Sequence, residues 1–359
     1  MKNKKVMHIV ESFGSGVYSF LLDLINNTSD EFDITVLYGE RPETPNNFRK
    51  NFAESVKFIK IENFTRNIDL KRDFKAIKEV NRHIKEINPD IIHLHSSKAG
   101  IIGRLIVNKK KNKVIYNPHG FSFLKQDDSR FKRKIYWLIE KIVAIVNRKC
   151  TIIGCSKGEY EEAKKLNKNS ICINNGIDIR KMEQDIKKLK ENVLDYSNIK
   201  ICTIGRIGFQ KNPKLFNQIA EKFPNIQFVW IGDGNQKKLL TSKNITITGW
   251  KERSEVLNIL NDSNIFILCS LWEGLPLSLL EAMYIKKICI VSNCIGNRDV
   301  IKNNINGFVC NELEDYINAI NRIKGNDKRL NGIVEEAKND ILQKYNIDNM
   351  CKQYIKLYR

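Results

Sequence analysis

Short apolar runs, each followed by a stretch with helical spacing, recur along the whole chain and restrict what it can fold into. In the first half they are VMHIV, DITVLY, VKFIKI, DIIHLH, KVIYNPHG and CTIIGCS; in the second, IKICTIG, IQFVWIGDG, ITITGW, NIFILCS and KICIVSN. Brief runs rich in β-branched residues that alternate with helices predict a parallel sheet covered on both faces. The pattern occurs twice, and 359 residues exceed one ordinary domain. The expected fold is α/β, with two doubly wound, Rossmann-like domains facing each other across a cleft. The sequence reads as an N-terminal domain over 1–178, a polar connection over 179–198 and a C-terminal domain over 199–340. A helical segment over 341–359 is expected to pack back on the N-terminal domain.

Charge narrows the partner. The chain carries 61 Lys and Arg against 41 Asp and Glu, a net charge of +20. Such an excess suits nucleic acid, an anionic membrane surface or a phosphorylated substrate. No helix-turn-helix, zinc-finger or RNP signature is present, so nucleic acid is not the expected partner. The nine cysteines form no CxxC pair and sit in apolar runs such as IFILCS, as reduced core residues do. No zinc spacing appears. The apolar stretch after MKNKK, VMHIV, is too short for a secretory signal, and no uninterrupted run of about 18 apolar residues exists. The expected location is the cytoplasm.

Ligands of doubly wound sheets bind at the carboxyl ends of the strands, so chemistry is sought there. The first run leads into ESFGSGVYSFLLDL, where Gly14 and Gly16 form a tight turn before a helix that backbone amides can present to an anion. Position 19 is Ser, so the full GxGxxG is absent. KVIYN ends in PHGF, which puts His119 at a strand terminus, able to bond a sugar hydroxyl or to be an ordinary loop histidine. ICTIGRIGFQKN places Arg206 and Lys211 on one loop, a forked donor and a point charge suited to a diphosphate. Two solvated surface cations are the plain alternative.

SLWEGLPLSLLEAM carries Glu273 and Glu281, eight residues apart, around a predicted helix start with Pro276 at its first position. Main-chain N–H groups of Leu277 and its neighbours Gly274 and Leu275, beside Pro276, are expected to attract phosphate oxygens. Carboxylates beside a phosphate need hydroxyl partners, which a nucleotide sugar supplies on both sides of its diphosphate.

These residues resemble the retaining glycosyltransferases of family 4, with the GT-B fold. The E-x7-E element Glu273–Glu281, the Arg/Lys pair of GRIGFQK, the HGF loop and NNGID at 174–178 occur in the family's order over nearly the whole chain. The resemblance implies that Arg206 and Lys211 hold the donor diphosphate, with amides of Gly274 to Leu277 adding contacts. Glu281 would bond the ribose, Glu273 the donor sugar, and His119 the sugar or its leaving group, in an N-terminal domain that takes the acceptor. The Gly14–Gly16 loop would close near the phosphates. The chain departs from the family in two places. YIKK follows where a Gly is usual after EAMA, and IGNRD stands for GGIPE, with Asn297 and Asp299 as replacements.

The activity so implied is retaining transfer of a sugar from a nucleoside diphosphate, with an N-acetylhexosamine on UDP expected, to a polyprenyl-diphosphate-linked saccharide in bacterial capsule or exopolysaccharide synthesis. No Asp-x-Asp occurs, so no metal and no further cofactor are expected. The alternatives are another GT-B enzyme, such as a nucleotide-sugar 2-epimerase, or a basic nucleic-acid-binding protein. Residues 101–150 hold thirteen Lys and Arg against three acids. Within them, RFKRKIYWLIEKIVAIVNRK (130–149) mixes cations with aromatics and predicts peripheral attachment to an anionic membrane surface. A core helix with one solvated basic face is the competing expectation.

Overall fold

The computed structural model describes residues 4–65, 69–108, 110–187, 199–325 and 327–359. The chain forms two compact units, each with its own parallel sheet. Unit 1 comprises residues 1–124, 128–175 and 347–359; unit 2 comprises 125–127 and 176–346.

Unit 1 is built on β1 (Lys4–Val10), β2 (Phe32–Tyr38), β3 (Lys57–Lys60), β4 (Ile91–His95), β5 (Lys113–Asn117), β6 (Thr151–Gly154) and β7 (Ser170–Cys172). They lie side by side in the order β3-β2-β1-β4-β5-β6-β7, every described pairing parallel. The order reverses direction at β1/β4, which is where a doubly wound sheet opens a crevice. Because side chains alternate across a strand, Val6 and Val10 pack on the Ser15–Asn26 helix side together with Ile91 and Ile115. Met7, Ile9, Ile92 and Leu94 pack on the opposite face, against Ala76, Val80 and Ala99. The Ile347–Tyr358 helix belongs to this unit: its Met350, Cys351, Tyr354 and Tyr358 are buried in the first of these cores.

Unit 2 contains β8 (Lys200–Ile204), β9 (Gln227–Ile231), β10 (Ile245–Ile247), β11 (Ile265–Leu268), β12 (Ile288–Ser292) and β13 (Phe308–Cys310). Their order is β10-β9-β8-β11-β12-β13, again parallel. Ile201, Phe228, Ile265 and Ile290 of the strands meet Phe216, Ile219, Tyr316 and Ile320 of the helices in one core. The order reverses at β8/β11, so the loops after those strands lie at the switch point.

Both sheets have the parallel, doubly wound form expected, and each gains one strand, β7 and β13, that has only three residues. The polar stretch expected as a connection begins as the Ile179–Ile186 helix, with Met182 buried in unit 2 and Tyr284 donating to Glu183 Oε1 at 3.2 Å. The remainder, 188–198, lies outside the described residues. No described helix is long and apolar enough to cross a membrane. All nine cysteines are free, and eight of them are buried.

Candidate active site

The switch point of unit 2 collects most of the candidate residues. After β8 the chain turns through Arg206, which is half-buried, into a single 3-10 turn, Phe209–Lys211. Asn212, in the left-handed region at φ 52°, caps the following Pro213–Lys222 helix. That tight reversal carries the Lys211 ammonium back over the strand end. After β11 the turn 269–276 brings Glu273 to the same place. Lys211 Nζ lies 2.7 Å from Glu273 Oε1, and both side chains are largely shielded from solvent. Gln210 braces the arrangement: its Nε2 donates to Trp272 O at 2.9 Å and to Glu273 Oε2 at 3.4 Å, while its carbonyl accepts from Leu271 N at 2.8 Å. A cation and a carboxylate drawn from two neighbouring strand ends thus meet beside a helix start.

That helix runs Leu277–Tyr284, and Pro276 is the extended residue before it rather than its first helical position. The difference follows from ψ at 120°, which keeps Pro276 out of the helix while its carbonyl still accepts from Leu279 N at 3.1 Å. The effect on the amides is the one a helix start produces: the first N–H groups have no carbonyl partner within the helix and carry partial positive charge. Glu281 sits one turn further in and meets a cation that sequence reasoning missed. Arg253 Nη1 lies 2.6 Å from Glu281 Oε1, and its Nη2 contacts Met182 Sδ at 3.0 Å. Both glutamates therefore have basic protein partners.

The region of the replaced motif closes on this turn. Gly296 adopts φ 85°, and a Cβ added there would stand 2.4 Å from Gly274 O. The Asn297–Val300 helix follows, with Asp299 Oδ2 accepting from Gly296 N at 3.1 Å. Asn297 is fully buried, its Nδ2 donating to Ser292 Oγ at 3.1 Å. Asn297 and Asp299 thus hold the loop that buttresses Gly274.

Gly14, Gly16 and His119 belong to unit 1, at its own switch point. Gly14 is the extended residue before the Ser15–Asn26 helix, and Gly16 is exposed, with nothing within 4 Å of where its Cβ would be. That leaves room for a ligand against the first helical turn. His119 follows β5 in a left-handed conformation, φ 52°, next to Gly120 at φ 97°. Gly120 N donates to Glu159 Oε1, which pins the loop. Phe20, from the helix that the glycines open, meets the His119 ring edge-on at 4.7 Å. The structure therefore brings the glycine turn's helix and His119 together within unit 1.

His119 does not stand alone. His95 Nδ1 lies 3.0 Å from its Nε2, and His8 Nδ1 lies 3.0 Å from His95 Nε2. His93, on the same face, bonds Asn117 Oδ1 and Tyr358 OH at 2.7 Å each, and Asn117 Nδ2 donates to Tyr354 OH at 2.8 Å. Burial pushes His119 down to about 3 and His93 to about 4, and holds His8 and His95 well below the usual imidazole range. His119 is therefore neutral near pH 7, a hydrogen-bonding group rather than a cation. His8, His93 and His95 offer ring nitrogens within 4.8 Å of one another. Both His93 nitrogens and both His95 nitrogens are already committed to hydrogen bonds, so a metal there would have to break them.

Comparison with known proteins fits this geometry. Residues 14–181 match the model of Glycosyltransferase Family 4, and residues 184–340 that of Glycosyl transferases group 1. The chain is 32% identical over 358 residues to the UDP-Gal:alpha-D-GlcNAc-diphosphoundecaprenol alpha-1,3-galactosyltransferase of Escherichia coli, covering 92% of this chain and 89% of that one. It is 23% identical over 369 residues to the N,N'-diacetylbacillosaminyl-diphospho-undecaprenol alpha-1,3-N-acetylgalactosaminyltransferase of Campylobacter jejuni, 96% of each chain being covered. The structure of Anabaena Alr3699/HepE in complex with UDP and glucose shares its fold, with a TM-score of 0.76 over 99% of both chains at 14% identity. The fold is GT-B, and with both family models matched in order the chain belongs to the family 4 glycosyltransferases.

Proposed function

We propose that the protein moves a galacto-configured hexose, with or without a 2-acetamido group, from UDP to an undecaprenyl-diphosphate-linked amino sugar, retaining the anomeric configuration. The observation that carries this reading is the Lys211–Glu273 pair at the β8/β11 switch point, beside the amides that open the Leu277–Tyr284 helix. The two full-length relatives support the substrate classes, since both are named as α-1,3-transferases acting on diphosphoundecaprenol-linked sugars. UDP-hexoses carry their sugar in the α configuration, so an α-linked product means retention. A surface-polysaccharide pathway consumes such a product.

In this reading Arg206 and Lys211 take the diphosphate, and the main-chain N–H groups that flank Pro276 add donors to it. Preorganised charge of this kind offsets the negative charge that grows on the departing UDP, without a metal ion. Glu281 accepts from the ribose hydroxyls with Arg253 steadying its carboxylate, and Glu273 accepts from the donor sugar once Lys211 turns to the phosphate. His119 donates to the sugar or the leaving group, and the turn at Gly14 and Gly16 leaves space near the phosphates. The acceptor hydroxyl attacks from the face that the UDP leaves, and the departing phosphate takes its proton. Incubation with UDP-galactose or UDP-N-acetylgalactosamine and a GlcNAc-diphosphoundecaprenol analogue is expected to yield an α-linked disaccharide in the presence of EDTA. Conversion of the donor without acceptor, in particular epimerisation at C2, would replace this reading. A glycosyl adduct on Glu273 in mass spectra would overturn the same-face step, and a strict requirement for added divalent metal would overturn metal independence.

A second observation supports action at a membrane surface. Along the Arg130–Val146 helix, Phe131, Ile135, Leu138, Ile142 and Ile145 are all exposed, Phe131 by 74%, at the spacing of one helix face. Arg130, Lys132, Arg133 and Lys134 cluster at its start. An apolar stripe with a basic end suits the interface of an anionic bilayer, where it would bring the site to its lipid-linked acceptor. Flotation with anionic liposomes is expected to carry the protein upward at low salt and less so at high salt. No binding at low salt, or binding indifferent to neutralising positions 130–134, would rule the attachment out.

A further inference from the structure

Three imidazoles run in line from the middle of the unit 1 sheet to the loop after β5. His8 Nδ1 faces His95 Nε2, and His95 Nδ1 faces His119 Nε2, each at 3.0 Å. The ring planes differ by only 23° and 18°, at centroid separations of 5.2 and 5.3 Å. Nearly coplanar rings whose facing nitrogens are this close are hydrogen bonded edge to edge, along the nitrogen lone pairs. At the inner end His8 Nε2 is buried without a partner. At the outer end His119 is an intermediate rather than fully buried residue, and its Nδ1 has no partner among the described residues.

Counting protons along this line fixes where they sit. Burial keeps all three rings neutral, so together they carry one N–H each. Each of the two ring-to-ring bonds holds one proton, and the third goes to one of the two ends. Placed on His8 Nε2, it would be a buried donor that nothing accepts, and orphaned buried donors are rarer in folded proteins than orphaned acceptors. The proton belongs on His119 Nδ1. His93 lies beside the line and is held separately, between Asn117 and Tyr358.

We propose that His8 and His95 are positioning residues for the transfer: they lock His119 in its Nδ1–H tautomer, so that it presents one fixed N–H donor to an oxygen of the donor sugar or its leaving group. The placement of substrate at His119 rests on the transferase reading above; the tautomer does not. The left-handed backbone at His119 and the bond from Gly120 N to Glu159 hold the ring's root, and the histidine line holds its protonation.

The test is nitrogen-15 NMR of the full chain labelled at histidine, with His119 assigned through the signals lost in His119→Gln. The wild type is expected to show His119 protonated on Nδ1. His95→Asn, whose side-chain N–H stands near the position of His95 Nδ1–H, keeps that form, and His95→Phe lets His119 shift to Nε2–H. In steady-state transfer assays His95→Phe lowers kcat about tenfold, the size of one neutral hydrogen bond. The KM for the nucleotide sugar stays within about twofold, as for an interaction strengthened only in the transition state. His95→Asn recovers most of the rate. A wild-type His119 protonated on Nε2, a tautomer that survives His95→Phe, or equal kcat losses in the two variants each overturn the proposal. A wild type that transfers no sugar at all overturns the assigned reaction, while the NMR spectra still decide whether the lock exists.

Discussion

Lys211 and Glu273 are more than a pair of opposite charges at the residue scale, because both side chains are largely shielded from solvent. Lys211→Ala removes the cation proposed for the diphosphate and leaves a carboxylate that is only 8% exposed without its charged partner. The expected loss in kcat/KM is about a hundredfold or more, from about 3 kcal/mol of transition-state stabilisation. The accompanying loss of folding stability is about 1–3 kcal/mol. Donor kinetics and urea melts measure both, and kcat/KM within fivefold of wild type would remove Lys211 from the diphosphate site. The histidines make a separate prediction. Their folded pKa values lie below the ordinary 6.5, near 4 for His93 and 3 for His119. The unfolded chain therefore takes up protons that the folded chain refuses as pH drops from about 6.5 to 4. Stability is intact above that window and falls within it, by up to about 1.4 kcal/mol per pH unit for each ring. Urea midpoints at about pH 7.5 and pH 5 should differ clearly, and a flat profile would contradict the buried, neutral cluster. Much of this was legible in the sequence: glycines, cations and carboxylates stood where strands end. Arg253 was not, since one more cation in a chain with 61 carries no signal until the fold sets it against a glutamate 28 residues away. His8 was missed for a similar reason, because a single histidine in VMHIV reads as a core residue until its register beside His93 is known.

Among the elements, the turns of unit 2 are more demanding than its strands. Gly296 combines a left-handed backbone with a close approach to Gly274 O. Gly296→Ala is expected to cost about 1–3 kcal/mol and to raise the KM for the nucleotide sugar, because the carbonyl it would strike belongs to the residue after Glu273. Unchanged Tm and KM would show that the turn yields freely. The opposite experiment is available at Lys286, which sits at φ 58° where the family resemblance leads one to look for glycine. Its ion pair with Glu335 is exposed and contributes about 1 kcal/mol at most. Lys286→Gly relieves about 1–2 kcal/mol of left-handed strain and should leave Tm unchanged or higher; a clear fall would mean that the ion pair outweighs the strain. Sequence patterning found the central strands because nearly continuous apolar runs, as buried parallel strands show, are a clear signal. It passed over β7 and β13, three-residue edge strands that depend on a neighbour already in place, while the equally short β10 was caught within ITITGW. The Arg130–Val146 helix was anticipated as basic and aromatic, whereas its exposed Leu and Ile stripe emerged only once the opposite face was seen to bury Glu140, Val143 and Ala144.

For the whole molecule, the two parallel sheets were foretold by a strand–helix pattern that occurs twice, and what lay beyond sequence reasoning is how the last segment serves the first. The Ile347–Tyr358 helix sets Tyr358 OH on His93 and Tyr354 OH on Asn117, and both tyrosines are fully buried. A chain ending at residue 346 would forfeit several buried side chains at about 1.5–3 kcal/mol each, comparable to the entire margin of about 5–15 kcal/mol that holds a domain folded. Such a chain is expected to lack cooperative melting of unit 1, whereas Tyr354→Phe, which deletes one hydroxyl, should fold and lose only about 1 kcal/mol. A cooperative unit 1 transition in the shortened chain, followed by near-UV circular dichroism against unit 2 alone, would contradict this. The same helix bears on birth as well as on stability. As the polypeptide leaves the ribosome, the β-strands of unit 1 must wait for residues 347–359, made after unit 2, so unit 2 can mature while unit 1 still lacks a wall. During that interval the nascent histidines and their apolar surroundings stay open to chaperones, and unit 2 is the first to reach its finished form.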